Sequence, residues 1–250
     1  MIDVTPERIG RLYNKYKGEQ ALIVCTGPSL KMIDPRIITE HPHSIVINGA
    51  RLVRPKPRFY CAWQNYFMRY QDEIVKEVDP SEGFVFNRNA LSYRDPGRET
   101  VMSHSYEDEE RFYRRLPSNK LILYDRNPDK HTEPHANMGK TLAIGPTTLF
   151  DSALPLAIWC GYRQMILVGA DYTRDRKDAV YQQFYSEDSR SQEADRSTRC
   201  LTEMERARHR AYQWAAYIER QHPGLEVINC SPGSDLDAFP IRDVSEFIKF

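Results

Sequence analysis

The chain has no long hydrophobic run. None of its apolar stretches approaches the roughly 18 residues that a membrane-spanning helix needs, and the mean hydropathy is −0.65. This excludes an integral membrane protein built from helices. The first 19 residues also contain no apolar core of the kind that a secretory signal requires. We therefore expect a cytoplasmic protein.

Cysteine is sparse and charge is balanced. The five cysteines lie far apart and match neither CxxC nor any zinc-ligand spacing, so they indicate reduced, mostly buried side chains rather than disulfides or a zinc site. The 35 basic and 35 acidic side chains cancel. A chain without a basic surplus lacks the electrostatic footprint of a general nucleic-acid-binding protein, so we expect no nucleic-acid partner.

Short apolar runs alternate with helical patterns along the 250 residues. Continuous apolar runs bounded by turn residues are typical of parallel strands buried on both faces. Strands are predicted at 21–25, 44–48, 59–63, 84–86, 121–124, 165–169 and 225–230, and helices at 5–17, 65–78, 147–160, 203–221 and 244–250. This order predicts one α/β domain over 1–250, a mostly parallel sheet with helices on both faces. The polar stretch 173–202 is predicted to be a lid.

The end of the first strand has the composition of a ligand-binding turn. Thr26-Gly27-Pro28-Ser29 places a glycine where a backbone can approach a ligand and a proline at the first position of a helix. Free N–H groups at that helix start would favour an anion such as a nucleotide phosphate. The second strand ends in Asn48-Gly49, at the sheet edge where open α/β folds bind ligands. An ordinary strand-to-helix turn is the alternative interpretation.

Four segments in order carry a resemblance to a known family. They are Ala21 to Lys31 with its GPSL sequence, Ile45 to Asn48, Ala157 to Tyr172, and Ser231 to Pro240. They resemble the bacterial sialyltransferase family 42, and also the wider group of GPSL-motif proteins, which includes archaeal 6-hydroxymethylpterin diphosphokinases. The stretch Ala179 to Phe184 is similar to a further motif of the sialyltransferases. The resemblance covers most of residues 20 to 242, except about 65 to 140.

The resemblance implies a Rossmann-like variant of the GT-A fold and a metal-independent, inverting transfer from a CMP-linked sugar. It implies that Tyr172 closes the donor site and that Tyr181 donates a hydrogen bond to the leaving phosphate. Either tyrosine could instead be a packing aromatic. The expected donor-binding residues are Thr26, Gly27, Pro28, Ser29, Asn48, Gly49, Thr147 and Asp171.

The family also implies a histidine base at the start of the penultimate helix. A histidine suits this task because its pKa lies near neutrality. The candidate here is His209, with Glu203 or Glu205 as alternatives and a solvated helix-face histidine as the structural interpretation. The family carries asparagine before GPSL where this chain has Thr26, so the donor could carry Kdo as readily as sialic acid.

No metal site is expected. Asp235-Leu-Asp237 has the DxD form but follows the last strand, and Pro134 breaks any helix between His131 and His135. The implied function is transfer of an acidic sugar to a glycan acceptor in bacterial surface-glycan synthesis, with no cofactor beyond the CMP-sugar co-substrate. A peripheral contact with a membrane-borne acceptor is compatible with it. The alternatives are a diphosphotransferase that uses ATP and magnesium, and a non-catalytic nucleotide-binding module. The oligomeric state stays open.

Overall fold

The structure of the protein is a computed structural model. It describes residues 6–63, 66–67, 70–87, 106–124, 126–127, 133–140, 142–143, 147–172 and 197–249, and it describes only the backbone at 6, 106–109, 126–127, 143 and 197–204. Tyr181 and the part of the predicted lid from 173 to 196 lie outside the described residues.

A seven-stranded parallel sheet forms the centre of the molecule. Its strands are β1 (Gln20–Val24), β2 (Ser44–Ile47), β3 (Phe59–Cys61), β4 (Gly83–Asn87), β5 (Leu121–Tyr124), β8 (Gln164–Val168) and β9 (Glu226–Asn229). Their order across the sheet is β5-β4-β3-β2-β1-β8-β9, and every described pairing is parallel. Two short strands, β6 (Arg126–Asn127) and β7 (Leu142–Ala143), form a separate parallel pair. The α/β, Rossmann-like fold predicted from the sequence is confirmed.

Helices cover both faces of this sheet. They are α1 (Pro6–Leu12), α2 (Pro35–Glu40), α3 (Gln71–Glu77), α4 (Tyr106–Tyr113), α5 (Leu154–Trp159) and α6 (Ser197–Gln221). Side chains alternate between the faces along each strand. In β1, Leu22 and Val24 belong to the core under α2 and α3, whereas Ala21 and Ile23 belong to the core under α1, α5 and α6. Burial on both faces explains why the strands have uninterrupted apolar sequences.

The helix predicted over 147–160 contains a change of helical type. Residues Leu149–Ala153 form a π-helical turn, in which the N–H of Leu154 donates to the carbonyl of Leu149, before α5 begins. Pro155 has no N–H, and its ring would collide with the carbonyl four residues earlier in a regular helix. The wider turn before Pro155 is consistent with that steric demand.

Other predicted helices differ in length or type. The turn after β1 is a 3-10 helix, Pro28–Met32, rather than an α-helix. The prediction of a C-terminal helix over 244–250 is wrong. The structure has a 3-10 turn there, Val244–Glu246, which begins with a capping box between Asp243 and Glu246. Helix α6 begins at Ser197, so the last residues of the predicted lid are helical.

Other sequence-based expectations concern the membrane and the thiols. No helix in the described ranges combines the length and apolar character that crossing a bilayer requires. Cys25, Cys61, Cys160 and Cys230 are free and buried, as predicted, and burial raises the pKa of Cys61 and of Cys230 to about 12. The side chain of Cys200 lies outside the described residues.

His41, between α2 and β2, predicts a pH-dependent stability. Its Nδ1 accepts a hydrogen bond from the backbone N–H of His43 at 3.2 Å, and its Nε2 lies 3.1 Å from Gln20 Oε1. The imidazole must therefore be neutral. Burial, with a smaller contribution from His43, lowers the pKa of His41 from 6.5 to about 4. Between pH 6.5 and pH 4 the folded state therefore binds fewer protons than the unfolded chain. The stabilisation that neutral His41 contributes is fully present above pH 6.5 and is lost as the pH falls toward 4.

We expect the free energy of unfolding of the wild type to fall by up to about 3 kcal/mol between pH 7 and pH 4 because of His41. His41→Asn keeps an acceptor for the His43 N–H but cannot titrate, so its free energy of unfolding should fall less over the same range. Urea unfolding at pH 7.0, 5.5 and 4.5 measures the difference. Equal losses in both proteins would show that His41 does not cause the effect.

Candidate functional site at the carboxyl edge of the sheet

The strand order of the sheet reverses at β1. From β1 the chain builds outward through β2 to β5, then returns to add β8 and β9 on the other side of β1. Ligands of open α/β sheets bind where the order reverses in this way, beyond the carboxyl ends of the strands. The segments that follow β1, β2 and β8 therefore meet at one edge.

The turn after β1 is bound by the segment after β8. The backbone N–H of Ser29 donates to the Asp171 carboxylate at 3.2 Å, and the Ser29 hydroxyl donates to Asp171 Oδ2 at 2.9 Å. Both residues are buried. The prediction that the amides of this turn are free for a ligand anion is wrong for Ser29, because the carboxylate of Asp171 already occupies that position. Its charge also adds to burial in raising the pKa of Cys25.

Gly27 is required by this close approach. Its N–H donates to the carbonyl of Gly169 at 2.7 Å. A Cβ on Gly27 would lie 1.7 Å from Asp171 Oδ2 and 2.6 Å from the Gly169 carbonyl oxygen, so no other residue fits here without displacing the neighbouring segment. The glycine that the sequence analysis assigned to ligand approach therefore serves the contact between two loops of the protein itself.

Asn48 joins three segments. Its Nδ2 donates to the Thr148 hydroxyl at 3.0 Å, and its Oδ1 accepts the backbone N–H of Trp63, after β3, at 2.9 Å. Its backbone has a φ of +46°, a left-handed conformation that asparagine tolerates better than most residues. Gly49, which follows it, is buried within the 3-10 helix Asn48–Leu52. The side chain thus holds the ends of β2 and β3 against the start of the π-helical turn.

Tyr172 and Thr147 complete the arrangement. Their hydroxyl oxygens lie 2.9 Å apart, and Tyr172 also has a left-handed backbone, with a φ of +47°. Such a conformation costs of order 1–3 kcal/mol outside glycine and persists only where surrounding contacts maintain it. Asn48 and Tyr172 are thus two residues with a left-handed backbone at this edge of the sheet. We call Ser29, Asp171, Tyr172, Thr147, Thr148 and Asn48 the carboxyl-edge cluster, because hydrogen bonds and chain neighbours link them in that order.

A buried network that the sequence analysis did not predict supports the cluster. The Ser234 hydroxyl donates to the carbonyl of Ala170 or of Asp171, at 2.7 and 2.8 Å, and Asn229 Nδ2 donates to Ser234 Oγ at 2.8 Å. The backbone N–H of Ala170 donates to Ser231 Oγ at 2.7 Å. The small polar residues of Ser231-Pro-Gly-Ser234, directly after the buried strand β9, are the sequence signal for this network.

Exposure divides the predicted donor-binding residues into two groups. Thr26, Gly27, Pro28, Asn48, Thr147 and Tyr172 are partly exposed, whereas Ser29, Gly49 and Asp171 are buried. The first group can touch a ligand, and it offers hydroxyl, amide and backbone groups without formal charge. The second group supports the first from below.

The structure does not bring His209 to the cluster. It lies on the exposed face of α6, and its described contact is with Gln213, with 3.2 Å between His209 Nε2 and Gln213 Nε2. Its neighbour Arg210 is buried and donates to Gln213 Oε1 at 2.8 Å. Burial lowers the pKa of Arg210, and the carboxylate of Asp151, buried in the π-helical turn, acts against that shift. Asp151, an acidic residue within an otherwise apolar helical segment, is the sequence feature that indicates this buried pair of charges.

The residues weighed for metal binding have other described contacts. Asp237 accepts hydrogen bonds from Arg208 at 3.0 and 3.1 Å, which lowers the pKa of its carboxyl. The backbone N–H of Asp235 donates to the Asp171 carbonyl at 2.8 Å. His131 lies outside the described residues. Within the described part of the chain, no group of three or more histidine, cysteine, aspartate or glutamate side chains could hold a metal ion.

Fold and site together define a class, the α/β proteins with a parallel Rossmann-like sheet and a ligand crevice at the carboxyl edge of its central strands. A glycosyltransferase of this class, the MAf glycosyltransferase from Magnetospirillum magneticum AMB-1, matches 100% of this chain with 13% sequence identity and a TM-score of 0.55. This chain spans 39% of the length of that protein. The likeness shows a shared fold.

Two solved sialyltransferase structures also match. The sialyltransferase CST-II in complex with trisaccharide acceptor and CMP is 13% identical, with 93% of this chain and 89% of that chain covered and a TM-score of 0.48. CstII from Campylobacter jejuni with cytidine-5'-monophosphate is 13% identical, with 94% and 88% covered and a TM-score of 0.43. No protein-family model and no curated protein sequence matches the chain.

Proposed function

We propose that this protein is a glycosyltransferase that moves an acidic sugar, of the sialic acid or Kdo type, from a CMP-linked donor to a glycan acceptor. The observation that carries the proposal is the carboxyl-edge cluster, whose partly exposed members, Asn48, Thr147 and Tyr172, are neutral hydrogen-bonding groups at the switch point of the sheet. The fold shared with a glycosyltransferase and the resemblance of the GPSL segment to the sialyltransferases support the same conclusion.

The chemistry of the cluster suits a nucleotide phosphodiester. The turn from Thr26 to Pro28 is partly exposed at this edge, as are Asn48 and Thr147. The side chains of Thr26, Asn48 and Thr147 can donate and accept hydrogen bonds. Preorganised neutral donors stabilise charge that develops on a phosphate oxygen without a paired cation. This is the electrostatic task of a transfer in which CMP leaves without help from a metal ion.

Within this proposal, Asp171 acts on the protein rather than on the donor. Its carboxylate accepts hydrogen bonds from the backbone N–H and from the hydroxyl of Ser29. Asp171 is therefore proposed to hold the turn in place, so that Thr26 to Pro28 can contact the nucleotide. Tyr172, whose hydroxyl pairs with that of Thr147, is proposed to close the donor site. Tyr181 is proposed to donate to the leaving phosphate.

The reaction also requires a base. The acceptor hydroxyl attacks the anomeric carbon, CMP departs with the bonding electron pair, and the hydroxyl proton passes to the base. His209 remains the proposed base, and Glu205 is the alternative with a described side chain; both lie on the exposed surface of α6. A role for His209 therefore requires the acceptor to lie against that helix. We propose that the enzyme works in the cytoplasm on a surface-glycan acceptor, with peripheral membrane contact where that acceptor is lipid-borne.

Hydrolysis of CMP-N-acetylneuraminate and CMP-Kdo tests this function. We expect release of CMP from one donor in the presence of EDTA, because the proposed chemistry uses no metal ion. His209→Ala should lower the rate of CMP release at least about a hundredfold, the usual contribution of a general base, while CMP binding persists. Arg206→Ala, which lies about one helical turn earlier on the exposed surface of α6 and has no described contact with His209, is the matched control and should keep most of the activity. Failure to cleave either donor, or equal rates in His209→Ala and Arg206→Ala, would contradict these assignments.

A further inference from the structure

A second cleft lies at the opposite, amino-terminal edge of the sheet. Part of its lining comes from residues that precede the strands: Gly18 two positions before β1, Tyr162 and Arg163 directly before β8, and Leu225 directly before β9. Its volume is about 460 Å³, within the usual range for small-molecule sites. Because it opens where the strands begin, it is separate from the carboxyl-edge cluster.

The walls of this cleft are held by backbone contacts. The N–H of Asn14 donates to the Trp159 carbonyl at 3.0 Å, and the N–H of Gly18 donates to the Gly161 carbonyl at 3.0 Å. Gly161 has a φ of +85°, and a Cβ there would lie 2.9 Å from Asn14 Oδ1 and 3.0 Å from Asn14 Cα. The loop after α1 therefore packs directly on the C-terminal end of α5. A cleft fixed in this way loses little conformational entropy when it binds a ligand.

The lining of the cleft is cationic and aromatic. Lys17 and Arg163 line it, and no acidic side chain belongs to its lining in the described part of the chain. Nearby cations behave differently: Lys15 pairs with Glu82 at 2.6 Å and Arg11 pairs with Glu7. Neither Lys17 nor Arg163 forms an ion pair with any described residue. Lys17 and Arg163 therefore place two positive charges on one concave surface, without an ion-pair partner among the described residues.

Aromatic rings line the same cleft as these cations. The ring of Tyr13 lies 4.7 Å from that of Trp159, centroid to centroid, and Tyr13 is 58% exposed. The indole N–H of Trp159 donates to the Ile9 carbonyl at 2.7 Å, which fixes the orientation of that ring. Across the cleft, the Tyr217 hydroxyl accepts the Ala136 N–H at 3.1 Å. A cleft lined by both aromatic rings and cationic side chains is suited to a ligand that has a ring and an anionic group.

We propose that this cleft binds a sugar acid, with the carboxylate placed between Lys17 and Arg163 and the sugar ring against Tyr13 and Trp159. A concave site of this size favours one or two sugar units over a flat membrane surface. The inference rests on the cleft alone and stands whether or not the carboxyl edge uses a CMP-linked donor.

Titrations with glucuronate and glucose test it, because the two sugars share a ring and differ in the carboxylate. We expect glucuronate to bind with a dissociation constant of about 1 mM and at least about tenfold more tightly than glucose, measured by NMR titration. The affinity should fall as salt is raised. Equal binding of both sugars, or no binding of glucuronate up to about 50 mM, far above that constant, would overturn the proposal.

Variants locate the binding. The double variant Lys17→Ala, Arg163→Ala should weaken glucuronate binding at least about tenfold and leave CMP binding unchanged. The matched control is Arg11→Ala, Arg36→Ala, which removes two exposed cations that pair with acids outside the cleft and should bind glucuronate as the wild type does. Equal losses in both double variants would show a general charge effect and contradict a site in this cleft.

Discussion

Replacing Gly27 with alanine is expected to destabilise the protein by about 3 kcal/mol or more, the upper range for overpacked interiors. The backbone of Gly27, with φ −69° and ψ 158°, is one that alanine can adopt. The effect is therefore steric. A Cβ 1.7 Å from Asp171 Oδ2 would force the Asp171 segment away and break its hydrogen bonds to Ser29.

Gly10→Ala is the matched control, since Gly10 lies in α1 and a Cβ there meets nothing within 4 Å. Alanine favours a helix by up to about 1 kcal/mol over glycine, so this variant should be as stable as the wild type or more so. Urea unfolding measures both variants. Wild-type stability of Gly27→Ala would show that the two loops are not in the close contact that defines the site.

Asp171→Asn is expected to lower the free energy of unfolding by about 2–3 kcal/mol, because hydrogen bonds to a charged, buried partner contribute more to stability than neutral ones. An asparagine can accept from Ser29 through one atom only, and its amide N–H₂ would face a donor. CMP affinity should fall at least about tenfold as the turn from Thr26 to Pro28 loses its support.

Asp34→Asn provides the comparison for this carboxylate. Asp34 also accepts a backbone N–H at the start of a helix, from Arg36 at 2.9 Å, but on the exposed surface. Its substitution should lower the free energy of unfolding clearly less than Asp171→Asn does and leave CMP binding unchanged. If Asp171→Asn and Asp34→Asn behave alike in both measurements, Asp171 does not position the turn.

Much of the fold could be predicted because burial on both faces gives strands a distinct sequence. The run Leu121–Tyr124 has the predicted bounds, and the other predicted strands agree to within two residues at each end. Helix type was harder to predict. Apolar spacing alone does not distinguish a regular helix from the π-helical turn before Pro155, nor an α-helix from the 3-10 turn at Val244–Glu246.

The position of a site residue could be predicted where that residue directly follows a strand. Its orientation toward a ligand or toward another loop could not, because tertiary contacts determine it. Ser29, Asn48 and Asp171 were placed at one edge correctly because parallel strands end together. Whether such a residue faces a ligand or another loop depends on neighbours that are distant in sequence. The contact between Ser29 and Asp171 joins residues 142 positions apart, and the position of His209 depends on how α6 rotates against the core.

Thermal unfolding with and without CMP, in EDTA, tests the central claim most directly. A ligand at a hundred times its dissociation constant stabilises the folded state by about 2.7 kcal/mol, a rise of about 5 °C or more for a chain of this size. The proposed function predicts this rise with CMP in EDTA. The absence of a rise with CMP, together with a rise given only by ATP with magnesium or by a pterin, would contradict it.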